Sequence, residues 1–77
     1  MLLGHDMQMQ PARFRGVHAG PNELLVQYQV GDEVIGLRQW LGWIEVYALP
    51  EKRMIMRSRS VSHQQALALL GYELQPL

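Results

Sequence analysis

The stretch "RMIMRSRS", residues 53–60, places arginine at 53, 57 and 59 and methionine at 54 and 56. Read as a strand, it sends alternate side chains to opposite faces. Arg53, Arg57 and Arg59 then share one face, interrupted by Ile55, and Met54 and Met56 share the other. Two chemistries fit. Guanidinium forks bind carboxylate or phosphate through paired hydrogen bonds. Thioether sulfur beside imidazole is a soft donor set that suits Cu(I), and His5, Met7 and Met9 repeat the Met-x-Met pattern near the start. Methionine is also an ordinary filler of small cores. The two pairs lie far apart in sequence and match no ligand template, so we expect no metal site and no cofactor, and a copper carrier ranks third among the readings.

The arginine chemistry recurs. Arg13 and Arg15 alternate around Phe14 in "ARFRGVH", residues 12–18. In "LGWIEVYAL", residues 41–49, inward Ile44, Val46 and Ala48 leave Trp43, Glu45 and Tyr47 outward. Arginine with tryptophan and tyrosine is the composition of binding hot spots. The expected partner-binding set is Arg13, Arg15, Trp43, Tyr47, Arg57 and Arg59. Such a surface could grip an acidic protein, or stack bases and clamp phosphates.

Catalysis finds less support. The histidines are His5, His18 and His63, and Ser58, Ser60 and Ser62 lie near the last of them. A serine–histidine pair needs an orienting third group and an oxyanion hole. Neither G-x-S-x-G nor a glycine-rich phosphate loop is present. Ser62 is better read as a helix cap. The expectation is a protein that is not an enzyme.

Composition sets the frame. Seventy-seven residues with 48% hydrophobic content make one domain with a small core. The absence of cysteine removes disulfides, thiolate zinc sites and thiol catalysis. Seven basic residues balance seven acidic ones, which argues against a broadly basic nucleic-acid binder. No apolar run approaches a membrane span, and "MLLGHDMQMQ" lacks a basic leader. A soluble cytoplasmic protein without a membrane partner is expected.

These side chains need a scaffold. Residues 1–11 read as a flexible arm and 12–77 as one β-rich domain. Strands are expected at 12–18, 23–30, 33–40, 41–49 and 53–60. "AGPN" and the Gly-first pair Gly31–Asp32 mark turns, the latter suiting type II′. Leu24, Val26, Tyr28 and Val30 form one face of the second strand, and Gly36 suggests a bulge or bend. The period then changes. Ser62 with Gln65 forms a capping box, Val61 with Ala66 a hydrophobic staple, and Gly71 suits the C′ position of a helix over about 62–70. Its face of Ala66, Leu67 and Leu70 must dock on the sheet, and "ELQPL" reads as a tail. The fold class is α+β: an antiparallel meander of four to five strands, as a curled sheet or small SH3-like barrel, with one short C-terminal helix. The function that fits is a binding module, adaptor or inhibitor, presenting its arginine and aromatic face or a strand edge to a protein partner. Single-stranded nucleic acid is the alternative partner, and a homo-oligomer is a further option.

Overall fold

The computed structural model describes residues 8–59 and 62–77. Five strands run as an antiparallel meander: β1 (Gln10–Ala19), β2 (Leu24–Val30), β3 (Glu33–Trp40), β4 (Trp43–Leu49) and β5 (Arg53–Arg59). A short helix, α1 (His63–Leu69), follows, and then β6 (Tyr72–Leu74). The strand order is β5-β4-β3-β2-β1-β6, curled into a half-barrel. The sheet therefore has six strands rather than four to five, and it is mixed. β6 lies parallel to β1, with Gln10, Pro11 and Ala12 against Tyr72, Glu73 and Leu74. The first two residues of the expected tail, Glu73 and Leu74, are strand because they meet an open sheet edge whose backbone groups need partners. For the same reason Gln10 and Pro11 belong to β1 and not to an arm.

The turns follow local chemistry. Gly31 has φ of 58°, the positive value that the first central residue of a type II′ turn takes. Leu41 and Gly42, expected inside the fourth strand, form a tight turn instead, because Trp40 pairs directly with Trp43. Gly36 makes no bulge, since its register against both neighbours is regular. A Cβ there would stand 3.2 Å from Leu49 Cδ1 and 3.4 Å from Leu25 Cδ2, so the glycine lets those leucines close over the strand.

Bulges lie elsewhere. Between Phe14 and Gly16 the β1–β2 register shifts, leaving Arg15 as the inserted residue. On β5, Met56 faces Val46 while Met54 faces Tyr47, leaving Ile55 inserted. One inserted residue reverses the parity of everything before it. Met56 thus points with Val46 toward the core, and Met54 points with Tyr47 to the other side. Arg53, opposite Ala48, leaves the face of Arg57 and Arg59. The expectation that Met54 and Met56 share a face, which a Met-x-Met chelate requires, does not hold.

The core lies between the sheet and α1. Tyr28, Val30, Ile35, Leu37, Ile44 and Val46 pack with Ala66 and Leu67 of the helix, and Leu70 packs against their margin. Ser62 caps the helix: its hydroxyl accepts from Gln65 N at 3.1 Å, and Gln65 Oε1 accepts from Ser62 N at 3.2 Å. Val61, the expected staple partner of Ala66, is outside the described residues. Gly71, with φ of 82°, follows the C-cap Leu70 and donates to Ala68 O at 3.0 Å. A helix of this length is unstable alone, so docking and caps together hold it.

One polar contact ties α1 to the sheet. Tyr28 Oη and His63 Nδ1 are 2.9 Å apart, with their rings edge to face. Burial holds the His63 imidazole below its usual value of 6.5. The folded state therefore prefers neutral His63, hydrogen-bonded to the tyrosine, while the unfolded chain takes up the proton first. The resulting stability is complete above the unfolded pKa and is lost as pH falls through and below it. The melting temperature should fall between about pH 7 and pH 5, and the fall should shrink in His63→Gln, as thermal melts across pH will check.

Candidate partner-binding face

The sheet face turned away from α1 carries the odd-numbered residues of β4. Ladder partners point to the same side, so Arg59 joins Trp43, while Arg57 and Arg38 flank Glu45 from β5 and β3. The Arg57 and Arg59 guanidinium carbons lie 4.2 and 4.4 Å from the Trp43 ring centroid. Arg38 lies 4.8 Å from that of Trp40. These are cation–π distances, which fix the planes of otherwise mobile side chains.

Glu45 is the hub. It is 9% exposed. Its Oε1 accepts from Tyr47 Oη at 2.7 Å and stands 3.7 Å from Arg38 Nη1. Its Oε2 stands 3.7 Å from Arg57 Nε. Burial, and then the hydrogen bond to Glu45, raise the Tyr47 phenol above its usual value, so it remains a donor. Lys52, with φ of 62° in the β4–β5 turn, crosses the Tyr47 ring at 5.5 Å and pairs with Glu23 at 2.5 and 2.7 Å. The hydrogen bond from Lys52 holds the Glu23 carboxyl below the usual carboxylate range.

No protein-family model, curated protein or solved structure matches this chain.

The charge is sorted by face. Arg13, Arg15, Arg38, Lys52, Arg57 and Arg59 are all the basic residues of the chain except Arg53, and all lie on this side of the sheet. Only Glu23 and Glu45, among the described carboxylates, lie among them. Asp32 and Glu33 sit at the β2–β3 turn, Glu51 at the β4–β5 turn and Glu73 on β6. A chain of zero formal charge thus presents a cationic surface.

Of the expected residues, the fold brings Trp43, Arg57 and Arg59 into direct contact and links Tyr47 to Arg57 through Glu45. Arg13 and Arg15 share the face but not the cluster. β1 lies four strand spacings from β5, about 19 Å across a flat sheet. Arg13 faces Gln29 in the register, and Arg15 Nη1 donates to Gln29 Oε1 at 2.6 Å. Between the two arginine groups runs an open groove of about 440 Å³, floored by Leu25, Val34 and Leu49 and edged by Arg15, His18 and Lys52.

Sequence reasoning missed Arg38, Trp40 and Lys52. The first two were readable, because they alternate with Leu37 along β3. Lys52 was not, because its position depends on a turn. His5 and Met7 lie outside the described residues. Ser62 serves the helix cap and His63 serves Tyr28, so they do not form a nucleophile–base pair. Among the described residues no group of His, Cys, Asp and Glu could hold a metal ion, and no helix is long and apolar enough to cross a membrane.

Proposed function

We propose that this chain is a non-enzymatic binding module that recognises an acidic protein through its cationic, aromatic sheet face. The observation that carries the reading is the pair of cation–π contacts that Arg57 and Arg59 make with Trp43, at one edge of a face that holds every basic residue but Arg53. Arginine and tryptophan held in fixed planes are the residues that dominate binding energy in interfaces, and they lose little conformational freedom on docking. Glu23 and Glu45 break the cationic surface into separate clusters. That spacing suits discrete carboxylates better than the continuous phosphate track of a nucleic acid.

The test is a pull-down with the immobilised chain, with and without nuclease, run beside Arg57→Glu/Arg59→Glu. A protein captured despite nuclease, and lost from the double variant, is the expected result. Capture that vanishes on nuclease treatment would transfer the reading to single-stranded nucleic acid.

A further inference from the structure

Trp40, Leu41, Gly42 and Trp43 form the tip of the β3–β4 hairpin. Both turn residues have positive φ, 50° at Leu41 and 83° at Gly42, as a two-residue type I′ turn requires. Asparagine or aspartate is favoured at the first of these positions, and a leucine there is sterically strained. Leu41 is nevertheless 81% exposed, so no packing within the fold retains it. Its neighbour Trp40 is also exposed. Three guanidinium groups surround the tip: Arg38 on Trp40, and Arg57 and Arg59 on Trp43. An exposed apolar side chain kept at a strained backbone position argues for a role outside the fold.

We infer that this hairpin tip is the insertion element of the binding face. Leu41 and Trp40 insert between apolar side chains of a partner segment, and carboxylates interleaved with those side chains meet Arg38, Arg57 and Arg59. The partner segment is therefore acidic and amphipathic, since a purely acidic one would leave Leu41 and Trp40 in water. The inference rests on the protein-partner reading and deepens it.

The chain has two tryptophans, and both stand at this tip, so intrinsic fluorescence reports its occupancy. The probe is a short synthetic peptide in which glutamate is interleaved with leucine. Polyglutamate and oligothymidylate of equal charge, and vesicles containing phosphatidylserine, are compared with it. The peptide should give a saturable blue shift, and polyglutamate should bind at least about tenfold more weakly. Leu41→Asn should weaken peptide binding by at least about tenfold while its melting temperature holds or rises, because Asn-Gly fits the type I′ turn. Unchanged peptide affinity in Leu41→Asn, or equal affinity for polyglutamate, would overturn the insertion role and leave the acidic-partner face intact. Full peptide binding by Arg57→Glu/Arg59→Glu, or preference for oligothymidylate, would overturn the protein-partner reading itself. A blue shift with vesicles alone, or with no probe, would overturn the inference.

Discussion

Leu67→Ala should remove a large part of this protein's stability. Leu67 is fully buried between α1 and the sheet, and a buried leucine cut to alanine costs about 2–5 kcal/mol in lost transfer energy and cavity. Small domains have about 5 kcal/mol of stability at the low end of the usual range. A helix of seven residues has no stability of its own to fall back on. The midpoint of a thermal melt should drop by about 10–30 °C. Leu69→Ala is the control: that side chain on the same helix is 66% exposed, so its replacement should move stability by about 0.5 kcal/mol or less. Equal melts for the two variants would show that the helix does not hold the sheet as described.

Arg57→Glu/Arg59→Glu should have the largest effect on binding. Reversing two charges beside Trp43 removes both guanidinium groups and sets two new carboxylates against those of the partner. A loss of about a hundredfold or more is expected. The fold should survive with a smaller cost. Arg57 is half exposed and its ion pair with Glu45 spans 3.7 Å, so losing the pair and the cation–π contacts costs about 1–2 kcal/mol, to which the new carboxylate beside nearly buried Glu45 adds repulsion that the single variant Arg59→Glu avoids. Arg13→Glu/Arg15→Glu should weaken binding less, because β1 stands four strands away from the cluster. Titration calorimetry on the captured partner, paired with melts, separates these outcomes. Equal losses from the two double variants would mean that the partner spans the whole face and that no local cluster dominates.

What could be read from residue order was whatever is encoded locally. β2 showed its inward face because Val26, Tyr28 and Val30 alternate over an unbroken strand. The helix start was legible because a capping box needs only Ser62 and Gln65. The side of β4 on which Trp43 and Tyr47 lie was legible, because both alternate with Ile44 and Val46, but the burial of Tyr47 there, beside Lys52 and Glu45, was not. The two bulges were not. Nothing about Ile55 marks it as an inserted residue, yet its insertion decides which side Arg53 and Met54 occupy. Leu25 escaped notice because it stands beside Leu24, and both are apolar. The structure buries Leu25 on the arginine side, packed with Leu49 over Gly36, and leaves Leu24 exposed. β6 was hidden for a different reason. Three residues are too short to show a period, and its partner strand lies about sixty positions earlier in the chain.

That pairing of β6 with β1 has a consequence for how the chain reaches its fold. The meander joins each strand to its immediate successor, so its contacts are local and can form quickly as the chain emerges. The edge of β1 is different. Until residues 63–74 are present, its outer backbone groups have no partner and Ala12 has no cover from the helix. A ribosome-bound or truncated chain would therefore expose the Gln10–Ala12 stretch of strand edge that β6 covers, the kind of surface along which unfinished β proteins pair with one another. Deleting residues 72–74 should matter less for the melting temperature than for the fraction of newly made protein that stays out of aggregates.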